Sequence, residues 1–426
     1  MRLFLLTITY IMFVSPLLKA GDVRIITDEQ GAHQLLRDGQ PYLAKGANWP
    51  TPETINALVS AGGNSIRTYA DEVKWMLPLA RANNLTVLLG LPIGRERQGF
   101  DYTDQVAVDA QFERLRATVR RYKNEPELLM WAIGNEPEHH AKNTVPLWKE
   151  VNRIARMIRV EDPHHPIITV VAGFDKNKIQ QLLAHCPDLD ALGVNWYGPA
   201  DYWPSELLAY GWTKPYLLTE FGPLGYWQSK HGLGFTKWGA PIEQTSTQKA
   251  ALYAENWRDA IIARPGQALG GYAFIWGPKQ ERTQTWFSMH LFGGERTELV
   301  DAMHTAWTGH APINPAPKIL EWKSLRAPDE YQPGETVKIN LRWSSPRAAR
   351  ITVETRTEST ANQVGGDAEP APRILPSTDW KTVEGGIEVT APAKPGYYRV
   401  FVSVVTADKT AATANLPIAV QDVGKR

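Results

Sequence analysis

Cysteine is nearly absent from this 426-residue chain: Cys186 stands alone, so no intrachain disulfide can form and no cysteine cluster can hold zinc. Its expected role is a small buried side chain near the end of a helix. An excess of either charge is missing too. Lys and Arg number 46 against 45 Asp and Glu, and no basic run stands out, which removes the attraction that drives nucleic-acid binding. A neutral partner fits better. Long apolar runs are missing apart from Leu3 to Val14, which follows Arg2. With Pro16 and the small Ala20 before Gly21, that stretch reads as a secretory signal peptide over 1–20, too short and too early to favour a spanning helix. Export to the periplasm or extracellular space is the expectation, with membrane attachment only if the segment stays uncleaved. What is plentiful is tryptophan: 16 copies supply flat, rigid surfaces with an N–H handle.

The length exceeds what one core usually organises, so two or three domains are expected. From Tyr42 to Trp307 short apolar runs alternate with amphipathic stretches, as in a parallel sheet wrapped by helices. The runs are Tyr42 to Ala47, Ser65 to Tyr69, Thr86 to Leu91, Leu128 to Ile133, Ile167 to Val171, Ala191 to Trp196, Tyr216 to Thr219 and Tyr272 to Trp276. Eight such units in this length predict a (β/α)₈ barrel domain over 21–309 that begins with a small hairpin. Val108, Phe112, Leu115, Val119 and Tyr122 mark one apolar helix face, and Leu147, Val151, Ile154 and Ile158 mark another. The proline-rich stretch 310–317 is a linker. Beyond it, 318–426 loses helical periodicity and shows short alternating strands with turn signals, a β-sandwich of the immunoglobulin or fibronectin kind. The polar stretch from Glu358 to Pro376 reads as a long surface loop.

In such a barrel the chemistry lies where the strands end. The fourth run ends Ile133-Gly134-Asn135-Glu136 and the seventh ends Leu218-Thr219-Glu220, delivering two carboxylates to one mouth. That pair suits glycoside cleavage, where one group protonates the leaving oxygen and the other attacks the anomeric carbon or activates water. A separation of roughly 5 Å implies retention of configuration, and roughly 6.5–9.5 Å implies inversion. The histidine pairs His139-His140 and His164-His165 sit on adjacent positions that point apart, without an acidic partner at ligand spacing. Neither a metal nor a cofactor is expected. The oligomeric state is not readable.

The runs WAIGNEPE and LLTEFG resemble the strand-four and strand-seven signatures of the retaining (β/α)₈ glycosidases. The likeness is greatest to the catalytic barrel of glycoside hydrolase family 2, with some similarity to fungal β-1,3-glucanosyltransferases, and it covers Tyr42 to Trp307. The resemblance implies that Glu136 is the acid/base and Glu220 the nucleophile of a double displacement, with Asn135 on the sugar 2-hydroxyl. It further implies Arg67 and Tyr197 beside the nucleophile, Trp276 as the floor on which the sugar stacks, and Trp49 as a further contact. Family 2 enzymes carry β-sandwich domains before the barrel, whereas here only 21–41 separate the signal segment from the first run, so that family's substrates do not transfer. The expectation is a retaining hydrolase of β-linked glycans, neutral hexose polymers or oligosaccharides. The alternatives are a transglycosylase with the same intermediate, an inverting hydrolase and a non-catalytic carbohydrate-binding protein. Trp203, Trp212, Trp227, Trp238 and Trp286 are candidate packing residues or sugar platforms.

Overall fold

The computed structural model describes residues 21–69, 72–326, 329–361 and 366–421, except for the side chains at 229 and 231. The stretch 1–20, read above as a signal peptide, lies outside them. Three short antiparallel strands come first: β1 (Val23–Thr27), β2 (His33–Arg37) and β3 (Gln40–Pro41). Eight parallel strands then close into a barrel. They are β4 (Ala44–Asn48), β5 (Ser65–Arg67), β6 (Thr86–Leu91), β7 (Leu128–Ile133), β8 (Ile167–Ala172), β9 (Ala191–Tyr197), β10 (Tyr216–Gly222) and β11 (Ala268–Ala273), with β11 returning to pair with β4. Every residue of β7 is buried, which is why that strand reads as a continuous apolar run rather than an alternation. Val23 and Leu35 of the leading strands join Ala44, Leu88, Met130, Ile168 and Leu269 in one cluster and close the end of the barrel remote from the strand C-termini.

The helices form where the apolar period of 3.6 places one stripe against the sheet. The helix Gln105–Tyr122 starts at Asp104, whose carboxylate accepts from the N–H groups of Val106 and Ala107, and it buries Val108, Phe112, Leu115 and Val119. The helix Thr144–Glu161 buries Leu147, Val151, Ile154 and Ile158. The helix Ser246–Trp257 opens with a reciprocal Thr245–Gln248 capping box and continues into a π-helical turn, Arg258–Ile262. Cys186 is buried at the end of the helix Lys176–His185. Among the described residues no helix is long and apolar enough to cross a membrane.

The eighth strand departs from the sequence reading. It runs from Ala268 to Ala273, starting four residues and ending three residues before the run from Tyr272 to Trp276, because Gly270 and Gly271 look like a turn but lie in the strand. Gly270 sits at φ +122°, and a Cβ there would stand 2.2 Å from the carbonyl oxygen of Ala44. Glycine lets β11 approach β4 closely enough to complete the barrel.

After the helix Glu298–Thr308 and the left-handed Gly309, a second unit of two sheets follows. One holds β13 (Lys318–Ser324), β15 (Thr336–Ser344), β18 (Gly386–Thr390) and β17 (Trp380–Val383). The other holds β16 (Ala349–Thr357), β19 (Gly396–Thr406) and β20 (Thr410–Val420), with β14 (Glu330–Tyr331) and the barrel's own β12 (Arg296–Thr297) added along β20. Val337, Ile339, Ile387 and Val389 of the first sheet share one core with Val400, Val402, Val404 and Ile418 of the second. The pairing of β12 with β20 carries this sheet into the barrel's last loop.

Candidate active site

A cavity of about 630 Å³ opens at the C-terminal ends of the barrel strands, lined by Trp49, Asn135, Glu136, Asn195, Tyr197 and Glu220 among others. Local backbone detail aims the two carboxylates. β10 slips register against β9 between Leu218 and Glu220, so Thr219 is an extra residue and Glu220 falls opposite Asn195. Just after β7, Gly134 at φ +73° turns the chain and Glu136 itself sits at φ +49°, its N–H held by the carbonyl of Val170 at 2.9 Å. A non-glycine residue in the left-handed region is uncommon, and here it lies at the centre of the cavity.

The two carboxylates have unlike surroundings. Glu220 Oε1 accepts from Arg67 Nη1 at 2.9 Å and from the Tyr69 hydroxyl at 2.8 Å, while Oε2 accepts from the Tyr197 hydroxyl at 2.7 Å. These three donors fix the plane and position of the Glu220 carboxyl group. Glu136 receives one neutral donor, Asn195 Nδ2 at 2.8 Å on Oε1. Burial first, and the negative Glu220 second, push its carboxyl up to about 7. One network ties the pair together. Arg67 Nη2 donates to Asn135 Oδ1 at 2.6 Å, Asn195 Nδ2 reaches the same oxygen at 3.1 Å, and Thr219 Oγ1 donates to Asn195 Oδ1 at 2.8 Å. The Asn135 oxygen is thereby occupied, which leaves its N–H₂ side for a substrate hydroxyl. Asn48 at the end of β4 anchors the floor, donating to the Thr219 carbonyl at 3.1 Å.

Glu136, Glu220, Arg67, Asn135 and Tyr197 thus meet at one place, and Trp49 lines the same cavity, 5.5 Å between ring centroids from Tyr69. Trp276 does not join them. Because β11 ends at Ala273, Trp276 falls in the following loop, fully buried, its indole N–H bonded to the Thr54 carbonyl at 3.0 Å and its ring stacked on Trp307. Phe274 faces the cavity instead. Of the five loop tryptophans, Trp227 lines the cavity and is half exposed; Trp203, Trp212 and Trp286 are buried, and Trp238 stacks on Tyr397 of the second unit.

Sequence reasoning passed over Tyr69 and Asn195, although each stands two positions from a chosen residue, Arg67 and Tyr197, the spacing that returns a strand to the same face. It also passed over Arg95, Lys279 and Glu281, which line the cavity from loops where no period applies. The stretch Glu358 to Pro376 is not merely a surface loop, since Gly366 and Asp367 are part of the cavity wall. His139 lines it as well; burial and the neighbouring His140 push the imidazole down to about 4, so it is neutral at pH 7. Among the described residues no group of three or more His, Cys, Asp or Glu could hold a metal ion.

With this geometry established, residues 93–277 match the family model described as glycosyl hydrolases family 2, TIM barrel domain. Over that stretch the barrel is similar to the family 2 domain. A beta-glucuronidase of Felis catus is 26% identical over 183 residues, covering 39% of this chain and 26% of that protein. Among solved structures, a calcium binding mutant of Bacteroides uniformis beta-glucuronidase 2 superposes with a TM-score of 0.52 at 14% identity, over 94% of this chain and 48% of that one. A beta-D-glucuronidase of Dictyoglomus thermophilum gives 0.51 at 16% identity, over 68% of this chain and 54% of that one. The chain spans between about a quarter and half the length of these relatives, and at such identities the structures speak for the fold alone.

Proposed function

We propose that this chain is a retaining glycoside hydrolase of β-linked glycans, with Glu220 as nucleophile and Glu136 as acid/base. The observation that carries the reading is the asymmetry of the two carboxylates. Three donors fix both oxygens of Glu220 in place, and burial keeps Glu136 able to carry a proton near neutrality. In the first step a Glu220 oxygen bonds the anomeric carbon as the glycosidic C–O bond breaks, and the Glu136 proton goes to the departing oxygen. In the second, the Glu136 carboxylate takes a proton from water, the water oxygen bonds the anomeric carbon, and Glu220 leaves as carboxylate. Arg67, Tyr69 and Tyr197 hold Glu220 in place, and Asn135 offers its amide N–H to the 2-hydroxyl. Labelling with 2-fluoro glycosides tests this: the expected result is a stable adduct on Glu220, found by peptide mass spectrometry. An adduct elsewhere, or product of inverted anomeric configuration by NMR, defeats it.

The charges around the cavity favour a neutral sugar. Lys279 is countered by Glu281 at 2.5 Å, and Asp367 lies 2.8 Å from Arg97 and 3.8 Å from Arg95, so each of these cations already has a carboxylate partner. Aryl β-glucoside, β-galactoside and β-mannoside are therefore expected to include a substrate at least ten times better in kcat/KM than aryl β-glucuronide. The reverse order overturns the assignment, and it is a live outcome because the relatives are named glucuronidases. Export through the segment 1–20 is part of the same proposal, and the N-terminal residue of the protein recovered outside the cytoplasm would test it.

A further inference from the structure

Residues 366–369, between β16 and β17, lie at the mouth of the barrel, and their attachment is specific. Asp367 accepts from both terminal nitrogens of Arg97, at 2.8 and 3.2 Å, a two-pronged contact that fixes the plane of the carboxylate. Glu369 accepts the backbone N–H of Arg282 at 2.8 Å. The Gly366 carbonyl accepts from Lys279 Nζ at 3.1 Å, and Gly366 lies so close that an added Cβ would stand 3.3 Å from that nitrogen. Three barrel residues thus seat this segment against the cavity.

Its location has a chemical sense. Arg95, beside Asp367, donates to the backbone carbonyl of Asn135 at 3.0 Å, and Asn135 precedes Glu136 in the chain. Asp367 therefore stands on the Glu136 side, where the oxygen of the departing sugar is protonated. Its carboxylate is 36% exposed and keeps acceptor sites beyond those that Arg97 occupies. Two oxygens in a fixed plane suit a pair of neighbouring hydroxyls.

We propose that Asp367, supplied by the second unit, is a specificity-determining residue that binds hydroxyls of the sugar on the leaving-group side of the scissile bond. The role rests on the glycosidase reading above. The unit after the barrel then takes part in choosing the substrate.

The test compares the full-length chain with Asp367→Ala and Asp367→Asn on two substrates: an aryl β-glycoside, which has no sugar on that side, and the best cleaved of cellotetraose, laminaritetraose and β-1,4-galactotetraose. Loss of a charged hydrogen bond predicts that kcat/KM on the tetrasaccharide falls about 10- to 100-fold more than on the aryl glycoside, chiefly through KM, with Asn intermediate. Because both substrates are read on one preparation, partial misfolding cancels from that ratio. Equal losses on both substrates, or none on the tetrasaccharide, overturn the proposal. Calorimetric binding of the same tetrasaccharides in a Glu220→Gln background separates this claim from the catalytic one. There Asp367→Ala should weaken binding by the same factor even if the assignment of Glu220 fails, and an unchanged Kd, or no tetrasaccharide bound by the parent, overturns the role of Asp367.

Discussion

Tyr69 and Tyr197 place their hydroxyls on different oxygens of Glu220, so each can be removed without disturbing the other's contact. Burial pushes both phenols far up, and both remain donors across the physiological range. Tyr197→Phe is expected to lower kcat about 10- to 100-fold, the worth of a hydrogen bond to a charged group, with retention of configuration unchanged. On the proposed mechanism the pH profile reports on Glu136. An acid that titrates at about 7 must be protonated to act, so kcat/KM is expected to fall as pH rises through that value. Asn195 Nδ2 donates to Glu136 and favours its ionised form; Asn195→Ala should therefore move the alkaline limb upward, and a limb that stays or moves down contradicts the contact. At this scale the carboxylate pair was legible because an apolar strand ending in an acid is a local pattern. Asn195 was legible in principle, two positions before Tyr197 on one strand. Lys279 and Glu281 were not, since their placement depends on how a loop folds over the barrel rather than on any period.

Among the elements, the strands most faithfully read were β6, buried but for Gly90, and the fully buried β7, where the limits of the apolar run and of the strand coincide. β11 was misread because glycine carries two meanings, a turn signal and a close approach of backbones, and only the neighbouring strand decides between them. Gly270→Ala tests the second meaning. The new methyl group would meet backbone, which cannot swing aside, so the expected cost is about 3 kcal/mol or more in urea unfolding. A change within 0.5 kcal/mol, an ordinary surface value, would show that β11 does not need the close approach. The helix Glu298–Thr308 carries a second, pH-dependent cost. Glu298 accepts from Thr247 Oγ1 on one oxygen, its other is buried without a partner, and burial pushes the carboxyl up to about 7 from an ordinary 4.5. Between those values the folded state holds the proton more tightly than the unfolded chain, so stability falls as pH rises through that window and is flat above it. Glu298→Gln should be the more stable protein at pH 8 by about 3 kcal/mol at most, with the difference shrinking toward pH 4.5.

At the scale of the whole molecule, composition and period separate a helical from a strand-rich half but cannot say whether the halves act together. Contacts between residues far apart in the chain leave no local trace, which is why Asp367 looked like part of an ordinary loop. The interface is rich in buried polar contacts. Glu243 accepts from Lys249 at 2.5 Å, Thr283 at 2.7 Å and Thr285 at 2.8 Å on the barrel side, and from Asn415 at 2.6 Å on the other. Arg399 of β19 reaches the Pro241 carbonyl at 2.9 Å, and Thr413 and Ile319 donate backbone N–H groups to Ser246 and Thr247, the first residues of the helix Ser246–Trp257. Separating the units would strand these groups, so calorimetry of the intact chain is expected to show one unfolding transition rather than two. Glu243→Ala would leave the Lys249 ammonium buried without its carboxylate, at a cost of about 3–5 kcal/mol, while the transition stays single. Because Gly366 and Asp367 reach the cavity from the second unit, activity and the calorimetric transition should be lost over the same temperature range. If the barrel instead keeps its tetrasaccharide activity through a separate, earlier transition, the second unit neither shares the barrel's stability nor completes its site.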